Sequence, residues 1–90
     1  MTNLRIFADF HNADLKGRLR LNCRGTLDDL NRTQIALAEG LMLTFYSEDL
    51  EVEGEVTYST EEKLWVAKIE WDAVRQYDDS EQIAGIEEQP

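Results

Sequence analysis

Residues 41–71 alternate apolar and polar side chains, and this constrains the fold more than any other feature. Leu41, Leu43 and Phe45 form the first run. Leu50, Val52, Gly54, Val56 and Tyr58, set between Glu51, Glu53, Glu55 and Thr57, form the second. Trp65, Ala67, Ile69 and Trp71 form the third. Period two marks a strand with one buried face and one wet face. Short polar turns at 47–49 and 59–63 join the runs, so they predict an antiparallel meander.

The first third of the chain predicts two more strands. Leu4, Ile6, Ala8 and Phe10 alternate with Arg5, Phe7 and Asp9. A turn follows at 11–17, with Asn12, Asp14 and Gly17 as its turn chemistry. Leu19, Leu21 and Cys23 then alternate with Arg18, Arg20, Asn22 and Arg24, a strand with a basic outer face that stops at Gly25. Thr26 reads as a helix N-cap, and Asp29 three residues on approaches a capping box. Leu27 and Leu30 give this helix its apolar stripe. It either runs on to Gly40 or stops near Arg32, leaving Ile35 and Leu37 extended. Thr33 is a poor interior helix residue, and the Ile35/Leu37 spacing keeps the strand-like alternation, so the shorter helix is favoured. Residues 71–75 are expected to form a closing helical turn.

Ninety residues make a single domain. It is expected to cover 1–77, followed by an acidic, disordered tail at 78–90 with only Ile83 and Ile86 as anchors. The fold class is mainly β: a small antiparallel meander with one short helix, closed into a five-stranded barrel because closure removes exposed edges. The segment Gly54-x-Val56-x-Tyr58, a turn and Trp65-Val66-Ala67-x-Ile69 resembles the central hairpin of SH3-like barrels, over about residues 39–75. Peptide-binding SH3 domains carry an Ala-Leu-Tyr-Asp-Tyr-like loop and a Pro-x-x-Tyr element. Neither is present, and the only proline is Pro90, so the resemblance implies a fold and not a proline-rich ligand. An open sheet with one packed helix is the alternative.

The net charge is −10. It opposes binding to nucleic acid, which needs clustered Lys and Arg, and opposes binding to an anionic membrane surface. It favours a basic protein partner. The charge is uneven: residues 1–32 carry +2 and residues 33–90 carry −12. The basic second strand is therefore expected to lie beside the acidic Glu51–Glu55 strand and pair with it. Cys23 has no second cysteine to bridge, and on the inward face of its strand it reads as an inert core residue. The opening residues lack a basic segment followed by an apolar one, so no signal peptide is expected and the cytoplasm is the default compartment. No apolar run approaches a membrane span.

Chemistry-bearing groups are sparse. Asp9, His11, Asn12 and Asp14 have the spacing that opens a calcium loop, but the Gly and closing Glu are missing, so a solvated turn is expected and no metal. Glu61, Glu62, Glu70 and Asp72 could pair as acid and base, yet no motif gives them context, so neither an enzyme nor a cofactor is expected. Partner-binding candidates are the Arg18, Arg20 and Arg24 row, suited to an anion or acidic group, together with Tyr46 and Trp65. Trp71 and Ile69 are expected in the core, with Trp65 partly exposed. Leu64 and Val66 would then form an apolar patch on the other face, near Tyr46 or Met42, available for an oligomer contact.

Three functions follow as expectations. The first is a non-enzymatic protein-interaction module or accessory subunit. The second is an acidic inhibitor or nucleic-acid mimic, because Glu51, Glu53 and Glu55 repeat at about 6.5–7 Å, near the phosphate spacing of one strand. The third, a nucleic-acid-binding barrel, is opposed by the charge. The sequence leaves the oligomeric state open.

Overall fold

The computed structural model describes residues 4–76; Tyr77 and the predicted acidic tail lie outside them. The elements are β1 (Arg5–Phe7), β2 (Leu19–Arg20), α1 (Arg24–Thr33), β3 (Met42–Ser47), β4 (Leu50–Ser59), β5 (Leu64–Ile69), a 3-10 turn (Trp71–Ala73) and β6 (Arg75–Gln76). The alternation over 41–71 becomes the antiparallel meander β3-β4-β5, with Phe45 opposite Val52 and Val56 opposite Ala67. Glu48 and Lys63 take positive φ in the two hairpin turns.

The sheet is mixed and open. Its order is β1-β3-β4-β5-β2, with β6 beside the start of β4. The predicted barrel does not close, and the structure does not confirm an SH3-like fold. β1 runs parallel to β3, with Ile6 opposite Phe45. The chain between them contributes β2 and α1, the long excursion a parallel pair needs. One face of the sheet carries the core: Ile6, Leu19, Leu43, Phe45, Val52, Val56 and Ala67, joined by Ala8, Phe10 and Leu21. Leu30, Ile35 and Leu37 pack against this cluster. Gly54 lets strands approach within it: a Cβ there would sit 2.8 Å from Ile69 Cγ2 and 3.0 Å from Phe45 Cε2.

Closure was expected because an open sheet exposes unpaired backbone. Here the edges are covered instead. Phe7 on β1 turns its outer N–H and C=O toward α1. Asp29 Oδ2 accepts the N–H at 2.9 Å, and the Thr26 hydroxyl donates to the C=O at 2.5 Å. The Thr-x-x-Asp pair that resembled a capping box is thus used on a strand. The helix begins three residues earlier than predicted, with Cys23 in place of Thr26 at its N-cap and no side-chain cap bond. Its end agrees with the shorter reading: Thr33 is the last residue, and Gln34 adopts φ 61°. On the far edge, segment 12–14 covers β2, through Arg20 N–H to Asn12 C=O (2.9 Å) and Asp14 N–H to Arg18 C=O (2.8 Å). Ahead of the start of β3, Glu39 caps the far end of β4 by accepting from Tyr58 N–H and from the Thr57 hydroxyl, each at 2.8 Å.

Several further expectations are corrected. Arg24 and Cys23 belong to the start of α1 and not to a strand. Cys23 is half-buried, its Sγ 3.0 Å from Thr26 Oγ1. Leu27 is exposed, and only Leu30 of its stripe packs inward. Val66 is fully buried and Leu64 half-buried, so they form no exposed patch. Trp71 lies outside the core, 44% exposed. β2 neighbours β5 and not β4, so the arginine strand and the Glu51–Glu55 strand do not pair.

Candidate functional site

The arginines find carboxylates other than those expected. Arg18 Nε donates to Asp14 Oδ2 at 2.8 Å. Arg20 grips Glu62 with two bonds, 2.7 and 2.9 Å, and reaches the Ala13 C=O at 3.0 Å, tying the β4–β5 turn to the edge segment. Arg24 lies 3.7 Å from Asp28 and stays highly exposed. Tyr46 is enclosed by its own neighbours. Its hydroxyl donates to Asp29 Oδ2 at 2.8 Å, Arg5 lies 4.6 Å over its ring, and Phe7 meets it edge-on. Trp65 is half-buried and packs edge-on against Tyr58, ring centroids 5.2 Å apart. Arg18, Arg20 and Trp65 thus lie on or beside the paired strands β2 and β5, whereas Arg24 is on α1 and Tyr46 on β3, so the five do not form one site.

The acidic row of β4 is flanked by cations. Arg75 reaches Glu51 at 2.9 Å and Glu53 at 3.0 Å, Arg5 lies 3.4 Å from Glu51, and Lys68 lies 3.5 Å from Glu55. These neighbours neutralise the line of charge that a phosphate mimic would present.

A different group of residues comes together around the β3–β4 turn. Phe7, Phe10 and Leu50 line a pocket of about 290 Å³ with Asp9, His11, Ser47 and Glu48. Phe10 meets Trp71 edge-on, with centroids 6.3 Å apart. The Trp71 indole Nε1 donates to the Gly17 C=O at 2.8 Å, anchoring the turn that carries Leu15. Leu15 is fully exposed. Phe10, Trp71 and the Leu15 turn are thus linked in series, and Asp9 and Glu48 lie in the pocket beside Phe10.

The Leu15 turn is rigid for a local reason. Asp14 is buried, and its carboxylate accepts from Lys16 N–H (2.9 Å), Arg18 N–H (2.8 Å) and the Arg18 guanidinium. Gly17 supplies the φ of 80° that closes the loop. Burial pushes the Asp14 carboxyl up, but these hydrogen bonds outweigh it and hold it below its ordinary 3.8. The side chain of Asp9 turns to His11 N–H, and Asn12 bonds to Asn22. With Asp14 committed to Arg18, this segment does not converge on one point. No cluster of three metal-ligating side chains occurs among the described residues.

Sequence reasoning missed Leu15, Phe10 and Glu48 and misplaced Trp71. Leu15 interrupts a polar turn, and an apolar residue at a turn tip was the available signal. Trp71 continued the alternation of β5, but the 3-10 turn starts at that residue and swings it out. No helix of the described residues is long and apolar enough to cross a membrane. Comparison with protein-family models, curated proteins and solved structures finds no match.

Proposed function

We propose that the chain is a non-enzymatic protein-interaction module or accessory subunit, and that its partner is basic and docks at the end of the sheet around Trp71. The observation that carries this reading is the exposed Trp71 ring, held in place by Phe10 on one side and Gly17 on the other. Aromatic anchors that are rigid before binding lose little entropy on docking and commonly dominate an interface. The net charge of −10 steers a basic surface toward it.

The test is recovery of a partner from the host by the immobilised chain, followed by calorimetry with the purified partner. Wild-type protein is expected to bind in a salt-sensitive way. Trp71→Ala is expected to weaken binding by about 2 kcal/mol, roughly thirtyfold. Equal affinity for wild type and Trp71→Ala, or affinity unchanged by salt, contradicts the reading.

A further inference from the structure

The pocket beside Phe10 differs in composition from three other hollows among the described residues. Around the Leu15 turn, Glu61 and Glu62 face Lys16 and Arg20, so the charges there are already matched. The hollow at Met42 is lined by Glu53, Glu55 and Glu70, but it also holds Lys68 beside Glu55, and Arg75 reaches Glu53. The hollow at the end of α1 is lined by no charged group. The Phe7–Phe10–Leu50 pocket has an apolar wall, two carboxylates, Asp9 and Glu48, and His11 with its Nδ1 3.7 Å from Asp9, but no lysine or arginine among its described lining residues.

Its lining narrows the occupant more than its size, which is close to the 310–370 Å³ of the other three hollows. About 290 Å³ lies just below the roughly 300–1,000 Å³ of small-molecule sites. That volume suits one long side chain. An apolar wall suits a methylene stem, an aromatic face attracts a cation, and rim carboxylates pair with its head.

We infer that this pocket receives a lysine or arginine side chain of the partner protein, its stem against Phe7, Phe10 and Leu50 and its charged head between Asp9 and Glu48. The inference rests on the interaction-module reading and gives it a recognition element. Trp71 supplies contact area, and the pocket supplies the preference for a basic residue.

The test uses three probes on the full-length, isotope-labelled chain, read by amide chemical shifts. They are N-acetyl-lysine-N-methylamide, its arginine counterpart and its uncharged norleucine counterpart. The lysine or arginine probe is expected to give saturable shifts at His11, Ser47 and Glu48, while norleucine gives none. Glu48→Gln, on an exposed turn, is expected to weaken the better cationic probe at least about fivefold while leaving the melting temperature unchanged. Which cationic probe saturates first assigns lysine or arginine. Equal binding of norleucine, shifts centred elsewhere, no saturation at roughly 50 mM, or an unchanged Glu48→Gln affinity overturns the inference. If the purified partner is weakened by Trp71→Ala but binds Glu48→Gln as it binds wild type, the module reading stands and the pocket assignment fails.

Discussion

The Tyr46 hydroxyl and the Asp29 carboxylate meet at 2.8 Å, joining β3, the strand next to the edge, to the helix that covers that edge. The same Asp29 accepts the Phe7 N–H at 2.9 Å and pairs with Arg32. One side chain thereby closes the β1 edge, fixes the helix and satisfies a tyrosine. Asp29→Ala is expected to destabilise the fold by about 1–3 kcal/mol, because it strands a backbone donor and a hydroxyl. Tyr46→Phe removes one bond and should cost about 1 kcal/mol. Urea unfolding of both variants checks the order; a smaller loss for Asp29→Ala than for Tyr46→Phe contradicts it.

Acid should unfold the protein through Asp14 and Asp29. Burial pushes both carboxyls up, but hydrogen bonds outweigh it, and both end below their ordinary 3.8. The bonds come from Arg18 and Lys16 at Asp14, and from Tyr46, Arg32 and Phe7 at Asp29. A depressed folded-state value means the ionised form is favoured by folding. Its contribution is fully present above the unfolded value and is lost as pH falls through the folded one. Stability should therefore stay level in these two groups down to about pH 4 and drop below it. Melts across this range check the window, and Asp14→Asn together with Asp29→Asn should flatten the drop.

Gly54 should tolerate no side chain. An added Cβ meets Ile69 at 2.8 Å and Phe45 at 3.0 Å in a region where Phe45 has no room to move. Gly54→Ala is expected to destabilise by about 1–3 kcal/mol, the usual cost of overpacking. A thermal melt unchanged from wild type would show that Ile69 moves aside freely.

Arg20 and Arg24 should behave differently although both were expected in one basic row. Arg20 clamps Glu62 and the Ala13 carbonyl, whereas Arg24 is nearly free in solvent. Arg20→Ala is expected to lower the melting temperature and speed amide exchange at Leu21, whose N–H bonds to Trp65. Arg24→Ala is expected to leave both unchanged.

The legible part of this fold is the part governed by local period. Val52, Gly54 and Val56 alternate with Glu51, Glu53 and Glu55, and β3, β4 and β5 follow. What periodicity cannot supply is the partner of each edge. Thr26 and Asp29 have cap chemistry in the sequence, yet the donor and acceptor they serve belong to Phe7, about twenty residues away. That non-local bond set covers the outer edge of β1, whose other edge pairs with β3. The site was less legible for the same reason. Arg18, Arg20 and Tyr46 look available until Asp14, Glu62 and Asp29 are brought to them. Trp71 looks buried until the 3-10 turn breaks the strand at that point.

The most direct test is amide chemical-shift mapping of the labelled chain with its purified partner. The account predicts changes concentrated at residues 9–17, 47–50 and 70–75, around Phe10, Trp71 and Glu48. Changes centred on Arg24 and α1, or on Tyr58 and Trp65, would contradict it.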